Sequence, residues 1–307
     1  MSIGDEIKLQ WRSGGALKRL LFINIGVFLA LNGVRFFEWL SGHSGFYEVV
    51  RDCLWTRDNL MPDASQPGLL TRPWTVITYM FTHEAPMHII WNMIMFWFSG
   101  QLFQGLLGER RLVGNYLLGG IAGFLFYLAG SFLPAHLHLA SGAPILGASA
   151  AVMSVFIGIA TYQPNVEVGM MFVGTVKLKY VAMVVFILDL IGIQQGGNTG
   201  GHLAHIGGAL YGFLAARQLM KGNDWSMGFV NGLDRIGKFF SGKKGPRMRV
   251  EKTQRRRAPV LQDLEFNAAK KAKQERVDSI LDKISRSGYD SLSKDERDFL
   301  FKASHEK

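Results

Sequence analysis

Ser149 stands among small residues at the start of an apolar stretch, in the run PILGASAAVMS over 144–154. A serine hydroxyl becomes a useful nucleophile when a neighbouring base accepts its proton. A second apolar stretch, GHLAHIGGALYG over 201–212, offers His202 and His205 as bases. Serine also has an ordinary structural use in membrane helices, where it bonds to a carbonyl one turn back or lets two helices approach closely. Residues elsewhere in the chain must decide between these two interpretations.

A third apolar stretch contains the sequence HIIWN, which begins at His88 and ends at Asn92. The i, i+4 spacing places the imidazole and the amide on one face of a helix. Both side chains, together with the backbone N–H of Ser149, could donate hydrogen bonds to a developing oxyanion. By itself an HxxxN pair more often makes a contact between helices. It supports a catalytic interpretation here only because it occurs together with Ser149 and the histidines of 201–212.

Six apolar stretches reach or approach the roughly 20 residues that a helix needs to cross a bilayer. They predict an all-α, polytopic membrane protein with a bundle of six spanning helices. The fifth stretch is the weakest, because it is short and contains Asp189. The stretches are 20–40, 88–107, 112–133, 144–162, 179–193 and 200–220.

Basic residues fall on one side of this six-span topology, which favours a cytoplasmic location for both termini. The second, fourth and sixth spans then run inward from the outer face. Three polar side chains lie near the starts of these spans and therefore at similar depth: His88, Ser149 and His205. The basic residues concerned are Arg12, Lys18, Arg19, Arg110, Arg111, Lys177, Lys179 and Lys221.

Small residues should allow the fourth and sixth spans to come into close contact. Gly147 and Ala148 precede the serine, and the sixth span carries Gly208 and Gly212 four residues apart. Such small-xxx-small patterns let two membrane helices approach closely. We therefore expect His205 to reach the serine and act as its base. No acidic residue occurs at this depth on the second, fourth or sixth span, so a Ser–His dyad without a third carboxylate is predicted.

His202 competes with His205 for the role of base. It lies about one turn nearer the surface and outside the Gly208/Gly212 register, so the packing argument favours His205. The remaining histidines of interest are predicted to be interfacial or solvent-facing: His83, His136 and His138.

Taken together, these motifs resemble the rhomboid family of intramembrane serine proteases, over about residues 70–220. The resemblance implies a six-helix core in which Ser149 is the nucleophile and His205 the base, with His88 and Asn92 binding the oxyanion. It implies no metal and no cofactor. The motifs that carry it are HEAPMHIIWN (83–92), GERR (108–111), LGASA (146–150), which includes the GxS pattern of Gly147, Ala148 and Ser149, and GHLAHIGGALYG (201–212).

The sequence departs from the family pattern at three places. Ala150 replaces the glycine that usually follows the serine, and Met153 stands where an aromatic residue often stacks on the histidine. A thioether can also pack against an imidazole. In the first loop Trp74 fits a Trp-Arg pair, but Thr75 takes the arginine's place and Arg72 precedes the tryptophan.

The function implied by this resemblance is endopeptidase cleavage of membrane proteins in or near a spanning helix. The partners implied are transmembrane protein substrates and membrane lipid. A catalytically silent rhomboid-like protein that binds membrane clients is the alternative, and a small-solute transporter is disfavoured because no inverted repeat is visible. Cys53 is the one cysteine in the chain, so an intrachain disulfide is excluded.

The predicted domain organisation has four parts, with a net charge of +10 that the basic flanks and tail explain without nucleic acid. The tail should contain a small helical hairpin that docks on a partner or on itself, with Ser293 and Glu296 at capping-box spacing. We expect the protein in the plasma (inner) membrane. The parts are a cytoplasmic N-terminal segment (1–19), a six-helix membrane domain (20–220), a basic linker (221–262) and a C-terminal helical hairpin (263–307).

Overall fold

The computed structural model of the chain describes residues 2–55, 68–132, 144–170, 174–194, 198–241 and 260–305. The chain divides into two compact units, Met1–Lys243 and Lys244–Lys307. Most of the described residues are helical. In the first unit the helices are α1 Ile3–Ser13, α2 Gly15–Ser41, α3 Phe46–Leu54, α4 Thr75–Thr78, α5 Pro86–Leu107, α6 Glu109–Ser131, α7 Ser149–Tyr162, α8 Leu178–Gln194, α9 Thr199–Met220 and α10 Trp225–Ser241.

Each of the six predicted stretches contains a helix: α2 and α5 to α9. By length and composition, two helices in the described part of the chain could cross a membrane, over Gly15–Ser41 and Glu109–Gly130. α7 and α8, with 14 and 17 residues, are shorter than the roughly 20 residues that a full crossing needs. The count of six spans therefore stays a prediction.

The prediction of an all-α fold needs one correction. Between α7 and α8 lie two short antiparallel strands, β1 Glu167–Met170 and β2 Gly174–Lys177, in which Val168 pairs with Val176. Valine and threonine favour strands, and they occur here four residues or more after the end of α7 at Tyr162. The connection between the fourth and fifth predicted spans thus contains two paired strands.

α7 is the central helix of the first unit and packs against α5, α6, α8 and α9. Val155, Phe156 and Ile159 are completely buried. The segment carries no charged residue and is apolar on every face, as expected for a helix that is buried on all sides. On its other side, Gly208 and Gly212 of α9 lie against the main-chain carbonyls of Ala150 and Ser154.

Polar side chains cross-link the buried helices of this unit. Asn115 of α6 donates from Nδ2 to Ser154 Oγ of α7 over 2.8 Å. Asn24 of α2 donates from Nδ2 to the Tyr116 hydroxyl of α6 over 3.1 Å, and that hydroxyl donates to the carbonyl of Met80 over 3.0 Å. Each pair satisfies groups that would otherwise be costly to bury.

The predicted basic linker, 221–262, is not irregular throughout, because α10 occupies Trp225–Ser241. Apolar residues such as Trp225, Leu233 and Ile236 recur at helical spacing there, ahead of the basic run over 243–257. Two ion pairs attach α10 and the residue before it to the start of α6: Arg111 Nε lies 2.6 Å from Asp224 Oδ2, and Arg110 Nη2 lies 2.5 Å from Asp234 Oδ2. Residues 242–259 of the linker lie outside the described part.

The second unit contains α11 Val260–Ser287, a 3₁₀ turn Tyr289–Ser291 and α12 Lys294–His305. Gly288 separates the two helices with a φ of 80°. The predicted capping box is confirmed, since Ser293 N donates to Glu296 Oε2 over 2.7 Å and Glu296 N donates to Ser293 Oγ over 3.3 Å. The buried side chains of Ile280 and Leu292 form its small core.

Candidate active site

Ser149 is the first residue of α7, and the two residues before it are held by hydrogen bonds to another segment. Gly147 N donates to the carbonyl of Tyr79 over 3.0 Å, and Ala148 N donates to Nε2 of His83 over 3.3 Å. Gly147 has a φ of +107°, which a side chain would strain. The entry into α7 is therefore fixed, and the serine N–H belongs to a first turn whose donors have no carbonyl four residues back.

His88 and Asn92 lie in the first two turns of α5. The His88 ring packs against Gly147, where an added Cβ would come within 2.7 Å of the ring Cε1. Asn92 Nδ2 donates to the carbonyl of His88 over 2.9 Å. Because an amide nitrogen carries two hydrogens, one N–H of Asn92 stays available for a further acceptor.

The four predicted catalytic and oxyanion-binding residues line one cavity of about 490 Å³: Ser149, His205, His88 and Asn92. Met153 lines it as well, on the same helix as the serine. Within the described part of the chain, no hydrogen bond joins the Ser149 hydroxyl to His205. Catalytic hydrogen bonds are often long in a free enzyme and tighten when substrate binds.

Asp189 of α8 contacts both histidines of α9. Its Oδ1 lies 2.7 Å from Nδ1 of His205 and 2.7 Å from Nδ1 of His202, and its side chain is 9% exposed. Sequence reasoning missed this contact because it looked for acids on the second, fourth and sixth spans alone. The available signal was a carboxylate inside a nearly charge-free helix, which is by default a functional candidate.

The two histidines differ in where they point. His205 lines the cavity beside Ser149, whereas His202 packs against Gly192 of α8. This difference supports His205 as the base. The donor atoms of Asp189, His202 and His205 all lie within 4.8 Å of one another, and carboxylate and imidazole are ligands that zinc accepts. The expectation of a metal-free site stays a prediction.

The prediction that His83 faces solvent or the interface is wrong. Its side chain is buried, accepts the Ala148 N–H, and meets the His88 ring edge-on at 5.2 Å between centroids. The short segment before α5 folds against the start of α7, a contact between distant residues that no local pattern reveals. His136 and His138 lie outside the described residues.

The first loop is tied to the end of α3 by three donors. Trp74 Nε1 donates to the carbonyl of Cys53 over 2.8 Å, and Thr78 Oγ1 donates to that of Leu54 over 2.9 Å. The Arg72 guanidinium donates to the carbonyl of Asp52. Arg72 and Trp74 thus anchor α3 even though Thr75 replaces the expected arginine.

Comparison with known proteins gives two family matches. Residues 70–222 match the Rhomboid domain family, and residues 262–306 match a family of unknown function, DUF6576. The second match coincides with α11 and α12.

Similar proteins include the presenilin-associated rhomboid-like protein A, mitochondrial, of Danio rerio, with 30% identity over 48% of this chain and 38% of the relative. RHOMBOID-like protein 12, mitochondrial, of Arabidopsis thaliana is 29% identical over 48% of this chain and 47% of its own length. Rhomboid protein 1, mitochondrial, of Saccharomyces cerevisiae is 28% identical over 48% and 42%. The chain spans less than half the length of these relatives.

The names of these relatives overturn one prediction. Each is named as a mitochondrial protein, whereas the sequence analysis predicts the plasma (inner) membrane with cytoplasmic termini. The distribution of basic residues orients spans relative to a membrane, but it carries no information on which membrane that is. The motifs, the helical bundle and the match over 70–222 agree, and the chain belongs to the rhomboid family.

Proposed function

We propose that this protein is an intramembrane serine endopeptidase that hydrolyses a peptide bond in or near the transmembrane helix of a membrane protein. One observation carries the proposal: Ser149 and His205, on separate helices, line the same cavity together with His88 and Asn92. Family membership supports it, because rhomboids are in general proteases.

The proposed reaction begins with proton transfer from the Ser149 hydroxyl to Nε2 of His205. The serine oxygen attacks the substrate carbonyl carbon, and the carbonyl electron pair moves to oxygen to give a tetrahedral intermediate. His205 then returns the proton to the leaving amine as the C–N bond breaks, which leaves an acyl-enzyme. A water molecule, deprotonated by the same nitrogen, releases the acid and restores the serine.

Oxyanion stabilisation is assigned to donors that already surround the serine. The His88 ring lies against Gly147, and Asn92 lines the cavity one turn further along α5. The N–H of Ser149 itself is a third donor. Donors fixed before the reaction stabilise charge that develops in the transition state without reorganisation, which is why such groups contribute strongly to rate.

The substrate is expected to be partly unwound at the cleaved bond. Backbone in an intact helix is hydrogen-bonded and shielded, so residues that destabilise the substrate helix should favour cleavage. The cavity is bounded on one side by Val185 of α8 and by Asn198, which caps the start of α9. A substrate segment would enter between these elements.

Purified full-length protein with a fluorescent transmembrane substrate in proteoliposomes tests the proposal. Ser149→Ala should lower the rate by on the order of 10⁴-fold or more, as expected for loss of a nucleophile. Ser99→Ala is the matched control, because Ser99 is buried and donates only to Met95 O within its own helix. Equal cleavage by wild type and Ser149→Ala would favour the silent, client-binding alternative.

A fluorophosphonate probe tests the pair directly. Wild-type protein should be labelled at Ser149, and His205→Ala should abolish labelling while leaving the protein folded. Labelling that persists at Ser149 without His205 would rule out the proposed base.

A further inference from the structure

We infer that Asp189 positions His205 for catalysis, so that the chain uses a Ser149–His205–Asp189 relay rather than an isolated pair. The inference rests on the proposed function. Its basis is the 2.7 Å contact between Asp189 Oδ1 on α8 and His205 Nδ1 on α9. A carboxylate hydrogen-bonded to the far nitrogen of a catalytic imidazole is the arrangement found in serine hydrolases that use three residues.

The surroundings of Asp189 indicate a functional role for its carboxylate. It lies in the second half of α8, where the residues from Val181 to Ile193 are otherwise apolar. A carboxylate at such a place is costly unless other groups compensate it. The compensation visible here is two imidazole N–H donors on one oxygen, since Oδ2 has no hydrogen-bond partner among the residues that the structure describes.

The contact determines which nitrogen of His205 can act as the base. An ionised carboxylate only accepts hydrogen bonds, so Nδ1 of His205 must carry a hydrogen. The neutral ring then has a bare Nε2, which is the tautomer that can take the Ser149 proton. When it does so, the ring becomes positively charged beside the carboxylate, which stabilises it. The Nδ1 hydrogen stays on the ring, so Asp189 itself is not protonated.

His202 completes the cluster but does not replace His205. It donates to the same oxygen over 2.7 Å, yet its ring faces Gly192 and not the cavity. Its N–H helps to hold the carboxylate ionised and in one orientation. Loss of His202 should therefore have a smaller effect than loss of Asp189, because the His205 contact survives.

Two substitutions of Asp189 separate hydrogen bonding from charge. Asp189→Asn keeps an acceptor oxygen but loses the charge, and Asp189→Leu loses both. We expect kcat for the fluorescent substrate to fall by on the order of 10²-fold or more in Asp189→Leu, and by at least as much in Asp189→Asn, because an amide N–H can donate to Nδ1 of His205 and hold the ring in the wrong tautomer. KM should stay within about threefold, because Asp189 does not line the substrate cavity. His202→Gln should lower kcat by no more than about fivefold on the same argument.

The ring tautomer gives a readout that a purely structural role would not change. ¹⁵N NMR of the full chain labelled at histidine should show His205 protonated at Nδ1 and bare at Nε2 in wild type and in Ser149→Ala. Asp189→Leu should give a mixture of tautomers while thermal unfolding in detergent stays cooperative. An unchanged tautomer with kcat within threefold of wild type would overturn the inference.

These measurements distinguish failure of the inference from failure of the proposed function. If Ser149→Ala abolishes cleavage and Asp189→Leu does not affect it, the protease stands and the relay is wrong. If Ser149→Ala cleaves normally, the proposed function fails whatever the tautomer shows. Activity lost to a chelator and restored by zinc would also overturn the inference, because the three side chains would then be metal ligands and not a relay.

Discussion

Gly208 of α9 packs directly against the main-chain carbonyl of Ala150, the residue that follows Ser149 on α7. A Cβ at 208 would overlap that carbonyl, and backbone atoms cannot swing aside as the end of a flexible side chain can. This contact sets the distance between α7, which carries the proposed nucleophile, and α9, which carries His205. It makes Gly208 the most sensitive packing position for the proposed chemistry.

Gly208→Ala should therefore destabilise the protein and lower its activity. Forced overpacking of this kind costs about 1–3 kcal/mol, and the separation of α7 from α9 should also impair proton transfer. Unfolding in detergent and cleavage rate measure the two effects. Gly105→Ala is the matched control, because Gly105 of α5 has open space where its Cβ would lie. Equal stability of the two variants would contradict the role given to Gly208.

Local sequence signals were sufficient for the helices of the six apolar stretches and for the position of the serine. Each apolar stretch formed a helix, and α7 begins at Ser149 because small residues and Pro144 precede an uninterrupted apolar run. The capping box of α12 was also readable, since it depends on residues three apart. Patterns of this kind depend on neighbours along the chain, which the sequence shows directly.

Contacts between distant segments were readable from the sequence where small residues mark a close helix approach, as at Gly208 and Gly212, but two contacts around the site were not. His83 meets Ala148 across a separation of 65 residues, and Asp189 meets His205 from a different helix. Neither pairing produces a periodic signal. The helix α10 was not predicted for another reason, because its short apolar face lies beside the basic run over 243–257 in one predicted linker.

His83→Ala should loosen the entry into α7. Without its Nε2, the Ala148 N–H is buried and unsatisfied, which costs about 1–3 kcal/mol. The His88 ring would also lose its edge-on contact with the His83 ring, so the proposed oxyanion donors should be less well placed. If about 1.4 kcal/mol of the loss reaches the transition state, kcat falls about tenfold. Steady-state cleavage of the fluorescent substrate measures this change.

His43→Ala is the control for that experiment. His43 is exposed, and its ring contacts only the carbonyl of Ser41 two residues away. It should leave both unfolding and cleavage rate as in wild type. A His83→Ala variant that behaved like His43→Ala would show that the buried imidazole has no part in holding the serine turn.

Ser154→Ala should destabilise the bundle without touching the cavity. The substitution leaves the amide of Asn115 without its acceptor in the buried contact between α6 and α7, at a cost of about 1–3 kcal/mol. Thr161→Val on the same helix is the comparison, because Thr161 Oγ1 donates only to Ile157 O within its own helix. Denaturation in detergent should separate the two variants, and similar midpoints would argue against the interhelical bond as a source of stability.

The C-terminal unit should become less stable in acid, because ionised Glu296 stabilises its folded state. The Lys283 ammonium and the Ser293 backbone N–H hold the pKa of this carboxyl at about 2, below its usual value of 4.5. A pKa lowered by folding stabilises the folded state above the unfolded pKa, and that contribution disappears as pH falls from 4.5 towards 2. Carboxyl ¹³C NMR of the full chain should show that Glu296 titrates well below 4.5.

Lys283→Ala should raise the pKa of Glu296 towards 4.5, because it removes the partner with the largest effect on that pKa. Hydrogen exchange in α12 should then accelerate at a higher pH than in wild type. Lys271→Ala, which removes only an exposed partner of Glu275 at 3.9 Å, should leave the Glu296 titration unchanged. A Glu296 that titrates near 4.5 in the wild-type chain would show that the ion pair and the cap do not persist in solution.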